Sequence, residues 1–466
     1  MKTKLLISVL SLLLLLPILV QATHIKGAYI SYTVDPQNPR NFNFTLTVYT
    51  NHSSPAEDPE AVMHMGDGNT VIVPRNTVAK YDKDYDIEHF HWTYTYNIPN
   101  HYTVVWAGEN RNNSILNIPA PSDQVGFYTY TTVNVNPLSS NRHGINLAGL
   151  PLLEGVVGKP LRHNFAAYDA DGDRIIYQLV APKKEDAAGK LVDIAGYTLP
   201  EGLTLDEYGE LIWDAPAVVG RYTIAIQTIE YRDGVVQGLG VADFEVTIVD
   251  KDKKPHLELL NKNQLSQNDD GSVKVMPGQP LKLEYFMRRH PDSNAPALPK
   301  LYSELDTLDL LPISIAIRDS ADGHAITISF TPGEELVREQ PYIVAMSAMA
   351  PEKANWSNGD LFAGTNWEFT YLYIGDAEPT ASEDELKGAG FILYPNPVAD
   401  QFAVEAPDMP GMFLHLLDAG GKKAGVLRLK PGKNTFTRPA SLSAGLYFYT
   451  IYSRYKPVGS GKLVVR

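Results

Sequence analysis

Phe42-Asn43-Phe44-Thr45-Leu46-Thr47-Val48 alternates apolar and polar side chains without a break. In an extended chain successive side chains point to opposite faces, so this pattern specifies a strand with one face on a core and the other toward water. Working outward, similar short runs lie at Tyr102 to Val105, Tyr128 to Val135, Ile175 to Leu179, Tyr222 to Ile226 and Phe244 to Ile248. Further runs follow at Leu281 to Phe286, Ala325 to Phe330, Tyr342 to Met346 and Trp367 to Ile374. Turn signals such as Gly66-Asp67-Gly68-Asn69 separate them. Repeated short strands with Gly/Pro turns predict an all-β chain of serial sandwiches.

The 466 residues leave room for three or four domains, and 44% hydrophobic content is enough to fill their cores. The bias toward Tyr, at 26 against 15 Phe, suits pleated, half-buried surfaces. No cysteine is present, so each core must hold without disulfides, and thiolate metal or redox chemistry is excluded. Residues 1–22 read as a secretory signal peptide, with Lys2 and Lys4 ahead of an apolar run from Leu5 to Val20 and a cleavage site at Val20-Gln21-Ala22. No second long apolar segment follows, so the mature chain is expected to have no transmembrane segment. The net charge of -14 argues against a nucleic-acid partner, which needs a basic face. Residues 391–466 reverse that balance, with ten Lys/Arg against four Asp/Glu, and so mark an independent terminal module.

The expected layout is a signal peptide at 1–22, a first sandwich at 23–140, a second at 150–250, a third at 255–375, an acidic linker at 376–390 and a terminal sandwich at 391–466. The linker is small and acidic with no apolar face, which reads as a solvated tether.

The terminal module carries Tyr394-Pro395-Asn396-Pro397, then Gly445-Leu446-Tyr447-Phe448-Tyr449, and closes on Lys462-Leu463-Val464-Val465. That order resembles the type A sorting domain of the type IX secretion system of Bacteroidota. The resemblance implies that Tyr394, Pro395, Asn396, Pro397, Gly445, Tyr447 and Lys462 belong to a module read by the outer-membrane translocon. It also implies a sorting protease and attachment to surface lipopolysaccharide as partners. The second unit, with Ala167-Tyr168-Asp169-Ala170-Asp171-Gly172-Asp173, Leu199-Pro200-Glu201-Gly202-Leu203, Gly209-Glu210-Leu211-Ile212-Trp213 and Gly220-Arg221-Tyr222, resembles cadherin-like, dystroglycan-type and immunoglobulin modules. The third looks like a degraded copy, with Arg288-Arg289-His290-Pro291-Asp292 in place of the acidic cluster and its cation site lost. The first, through Met65-Gly66-Asp67-Gly68 and Tyr94-Thr95-Tyr96, resembles polycystic-kidney-disease-type immunoglobulin modules, with Met65 where that family has an aromatic. The whole body resembles secreted surface proteins of gliding bacteria. The class expected throughout is therefore immunoglobulin-like.

Asp169, Asp171 and Asp173 repel one another unless a cation or strong donors neutralise them. Hard carboxylate oxygens suit Ca²⁺, and the resemblance to cadherin-like modules implies that a later acidic residue, Glu230 or Asp233, could complete its shell; the alternative is a solvated Asp/Gly turn. His89 and His91 share a strand face and could ligate zinc, with His64 or His101 as third ligand, in a pattern similar to α-type carbonic anhydrases. Surface or aromatic-packed histidines are the alternative. No Gly-x-Ser-x-Gly, HExxH or P-loop motif occurs, although glycosidase-type carboxylate pairs leave no sequence mark. Trp92, Trp106, Trp213, Trp356 and Trp367 could be sugar platforms, but core filling is expected for at least three. The reading is a non-enzymatic adhesin- or stalk-like protein, secreted or held at the outer-membrane surface, with an unidentified adhesion ligand. A secreted hydrolase or zinc enzyme and a carbohydrate-binding protein are the rivals.

Overall fold

The computed structural model describes residues 25–51, 54, 58–80, 85–108, 111–139, 141–151, 153–186, 189–232, 235–252, 254–268, 270–288, 298–349, 365–375, 386–387, 389–418, 423–438, 442–453 and 456–466. The expected signal peptide, most of the linker, Trp356 and Asp233 lie outside them. The described chain is all-β, with strands from Ile25–Val34 to Lys456–Val465 and helices of a single turn. Among the described residues no helix is long and apolar enough to cross a membrane.

The alternating run that opens the chain lies in the strand Asn41–Thr50, which pairs antiparallel with Ile25–Val34 on one side and Asp86–Thr95 on the other. Phe42, Phe44 and Leu46 enter a core with Tyr32, Trp92, Tyr96 and Trp106. Past Leu46 the alternation gives way to burial on both faces, because Tyr49 packs into a second core with Phe244 and Ile224.

That double burial reports how the first two segments are joined. The sequence reading separates a sandwich at 23–140 from another at 150–250. One twelve-stranded sheet instead runs through both. Its spine is the strand Val235–Val249, which pairs along one edge with Gly220–Arg232 as a long hairpin. Its other edge takes three partners in succession: Phe127–Asn134 at Leu239 to Val241, Ile25–Val34 at Asp243 and Phe244, and Leu153–Val156 at Val246 to Val249. Fifteen residues are long enough to seat all three, and composition does not show which edge is taken. Gly27 permits the closest approach, since a Cβ there would lie 2.7 Å from the Phe244 ring.

A buried ion pair locks this seam. Arg111, between the strands His101–Gly108 and Phe127–Asn134, is 1% exposed, and Asp243 on the spine is 0% exposed. The guanidinium makes a two-pronged contact, Nη1 to Oδ1 at 3.0 Å and Nη2 to Oδ2 at 2.6 Å. Nη1 also donates to Thr223 Oγ1 at 2.8 Å, and that hydroxyl donates to Asp243 at 2.8 Å. Nearby, Asn117 exchanges two bonds with the Thr223 backbone, and Asn112 donates to Glu245 at 2.8 Å.

The third unit is a sandwich of two four-stranded sheets over Leu283, Tyr285, Ile328, Met346 and Leu372. The terminal module packs a three-stranded sheet against a four-stranded one over Val404, Leu414, Leu416 and Leu463.

Arg111→Ala strands a charged carboxylate in the sheet interior. It should lower stability by about 3–5 kcal/mol, read as an earlier denaturation transition of Trp106 fluorescence. An unchanged midpoint would show that the seam does not depend on the pair.

Candidate metal centre

The short strand Ala167–Tyr168 ends at Asp169, and the chain then turns through Gly172, whose φ of 81° favours glycine. Asp169 Oδ1 organises the turn by accepting the backbone N–H groups of Asp171 and Asp173, at 2.9 and 3.1 Å. The next strand, Arg174–Val180, pairs with Gly220–Arg232 so that Ile175 lies opposite Glu230. This register delivers Glu230 to the turn.

Asp169, Asp173 and Glu230 are 3%, 5% and 2% exposed. Each offers a carboxylate oxygen within 4.8 Å of the others, and among the described residues this is the one group of three His, Asp or Glu side chains so placed. Asp169 Oδ2 is buried without a hydrogen-bond partner. Glu230 accepts from Ile145 N–H at 2.8 Å and from Asn141 Nδ2 at 3.2 Å. Asp173 is forked by Arg232, with Nη2 donating to Oδ2 at 2.9 Å and Nε to Oδ1. Gly238 lies on the neighbouring strand, where a Cβ would come within 2.7 Å of Glu230 Oε2.

The sequence grouped Asp171 with Asp169 and Asp173. Asp171 turns instead to the 141–143 segment, where Oδ2 accepts the N–H groups of Arg142 and His143 at 2.6 and 2.8 Å and Oδ1 lies 2.9 Å from His143 Nδ1. Alternate residues here do not share one direction, because a turn closed by Gly172 N–H on the Asp169 carbonyl at 3.1 Å replaces the extended geometry on which i, i+2 spacing depends. Glu230, named as a possible later ligand, takes the third place.

Burial pushes the Asp169 carboxyl up to about 7, against its ordinary 3.8, with the charges of Asp173 and Asp171 adding to the rise. Burial, reinforced by Asp169, raises Glu230 well above the usual carboxylate range. The acceptor-only oxygens and the donorless Asp169 atom fit a hard divalent cation. Arg232 already neutralises part of Asp173, so Asp169 and Glu230 would be the principal ligands. A small cavity of 30 Å³ borders Asp169 and Asp173 and leads to Glu304, Arg338 and Gln340 of the third unit, room on the scale of one water ligand.

The histidines of the zinc alternative are laid out differently. The His89 and His91 rings stack at 5.9 Å, and Nδ1 of each lies beside a threonine hydroxyl, Thr77 at 3.1 Å and Thr45 at 2.9 Å. His64 Nδ1 lies 3.3 Å from Thr70 Oγ1, and His101 opens the strand His101–Gly108. These four form no three-ligand group. Trp92, Trp106 and Trp213 are core residues, and Trp367 is half-buried against His163 and Phe369. Of the segment expected to replace the acidic cluster in the third unit, only Arg288 is described.

In the terminal module Asn396 clasps the last strand. Its Nδ2 donates to the Lys462 carbonyl at 2.6 Å, and its Oδ1 accepts from Val464 N–H at 2.8 Å. Pro395 and Pro397 flank it and cannot donate to the ladder. Tyr394 OH donates to Glu405 at 2.9 Å. Tyr447 lies in the module core and donates to the Ser443 carbonyl at 3.1 Å, and Gly445 opens its strand. Asn396 and Lys462 thus meet directly, Gly445 lies opposite Val465 on the last strand, Tyr394 lies opposite Ala403 in the other sheet, and Tyr447 fills the core.

No family profile matches the chain, and no curated protein matches it. Three solved structures are similar at low level. The two immunoglobulin domains of DIP-gamma are 12% identical with a TM-score of 0.15, over 42% of this chain and 92% of that one. Escherichia coli alpha-2-macroglobulin activated by porcine elastase is 10% identical with a TM-score of 0.18, over 93% of this chain and 43% of that one. The BSP domain of a biofilm associated protein is 11% identical with a TM-score of 0.14, over 95% and 96%. At these scores the likenesses carry no argument about what this chain does.

Two outcomes follow from the site. In chelator, native Asp169 holds a proton that the unfolded chain releases between its ordinary value of 3.8 and about 7. Raising the pH through that window therefore favours unfolding. Wild type should lose stability relative to Asp169→Asn between about pH 4 and 7 and hold a constant difference above; parallel melting curves across the range would refute this. In the terminal module, Asn396→Ala removes both clasping bonds and should cost about 1–3 kcal/mol, seen as faster hydrogen exchange at Val464.

Proposed function

We propose that this chain is a non-enzymatic, surface-displayed protein of adhesin or stalk type, in which calcium held by Asp169, Asp173 and Glu230 stiffens the joint between its first two segments. The observation that carries this reading is the donorless, buried Asp169 oxygen within the carboxylate group. Such an arrangement is costly in a folded interior unless a cation completes it. The position supports a structural role. Asn141, which donates to Glu230, also donates to Tyr32 Oη at 3.2 Å, so the ligands are tied to the first core. Cation binding there draws together the 141–145 segment, the Asp169 turn and the long hairpin.

The route to the surface is part of the same proposal. The signal peptide would take the chain across the inner membrane, and residues 391–466 would present it to the type IX translocon, followed by removal of the module and attachment to lipopolysaccharide. Support comes from the motif order and from the basic charge of that module against an acidic body. The cell-surface partner would meet the acidic, Tyr-rich sheets.

Calorimetry on the mature, full-length chain tests the calcium reading. One Ca²⁺ per chain should bind, and saturating metal at about 100 times Kd should raise stability by about 2.7 kcal/mol. Glu230→Gln should abolish both effects. Identical melts with calcium and with EDTA would remove the reading, and stoichiometric zinc lost in His91→Ala would favour the enzyme class instead.

A further inference from the structure

The last residues of Gly220–Arg232 serve two neighbours at once. Glu230 and Arg232 reach the carboxylate group. Ile229 and Tyr231, which alternate with them, reach the terminal module. Ile229 and Leu239 are buried in a cluster with Phe448, joined by Tyr130, Ile176, Val236 and Leu446. Tyr231 Oη lies 2.9 Å from Thr450 Oγ1.

The terminal module is built for this contact in the same alternating manner. In its strand Gly445–Ser453, Tyr447, Tyr449 and Ile451 fill the module's own core. Leu446, Phe448 and Thr450 point the other way, onto the body. Phe448 is therefore buried without being part of the module's core. The ladder between the two long hairpin strands shifts register between Glu230 and Tyr231, so the hand-over from metal face to module face falls at an irregular step. Bulged steps are where a strand can re-aim its side chains.

We infer that the outer face of the long hairpin, at Ile229, Tyr231 and Leu239, is a receptor for the terminal module, and that cation binding at Asp169 and Glu230 strengthens its seating. The inference rests on the calcium reading above and adds a linkage to it. Ordering Glu230 from one side fixes the backbone that positions Ile229 and Tyr231 on the other. Seating Phe448 likewise pre-orders Glu230 for the cation. The two events share a few residues of one strand, so each must favour the other by the same factor. Calcium would therefore shift the terminal module toward its seated position by that same factor.

The test compares Ca²⁺ affinity in the full-length chain with and without the contact. Phe448→Ser removes the body-facing ring and leaves the module core intact; Val426→Ser, exposed elsewhere on the module, is the control. Calorimetry should give a Ca²⁺ Kd about fivefold or more weaker for Phe448→Ser and unchanged for Val426→Ser. Equal Kd values in all three proteins would overturn the linkage and leave the calcium site standing. No heat of binding in wild type would overturn the calcium reading, and the inference with it. Hydrogen exchange on the wild-type chain gives an answer independent of the variant's folding. Calcium should slow exchange in residues 229–232 and 446–450 together, and slowing confined to 229–232 would also overturn the linkage.

Discussion

The contact between Arg111 and Asp243 sets the architecture of the first half of the chain. Both side chains are removed from water, and only a two-pronged geometry with Thr223 as third member makes that tolerable. Asp243 sits on the spine strand at the point where Ile25–Val34 joins it, so the ion pair can form only when the two segments share a sheet. Hydrophobic burial would accept many sheet registers; a buried carboxylate that needs its guanidinium accepts one. With no cysteine in the chain, this polar lock takes the place a crosslink would otherwise hold.

A second set of buried charges, the Asp169 group, is arranged on the opposite principle. Around Asp243 both carboxylate oxygens receive a donor, although Arg111 Nε is buried without a partner. Around Asp169 the donors fall short, with Arg232 engaged by Asp173 and Asn141 engaged by Glu230. In the first network a guanidinium faces the carboxylate; in the second an Asp169 oxygen is buried with no donor facing it.

Much of this was legible in the residues. The alternation at Phe42 to Val48 specified its strand and its core face, and the Asp-Gly turn announced itself by composition. Glu230 could be named, beside Asp233, only through the resemblance to cadherin-like modules, in which a later acidic residue can complete the shell. Three things were not legible. The strand Val235–Val249 reads as an ordinary strand, and nothing in a period of two says that one edge will accept three partners. Asp171 could not be separated from its neighbours, since its direction is set by the turn from Asp169 to Gly172 and by the distant 141–143 segment that it bonds. The motif that contains Asn396 did not show that its side chain bonds the backbone of Lys462 and Val464, 66 and 68 positions away, a pairing that local pattern does not encode.

The joint between the first two segments is a ladder of backbone bonds along a common strand, whereas the third unit meets the second through side chains: Gln340 on the Ile175 backbone and Tyr371 on Glu210 at 2.7 Å. Under tension these joints behave unlike one another. Side-chain contacts unzip one at a time at low force, while a ladder loaded along its strands must shear many bonds together. A body anchored at one end and gripped at the other would therefore extend first between the second and third units, and its leading half would transmit load as a single rigid lever.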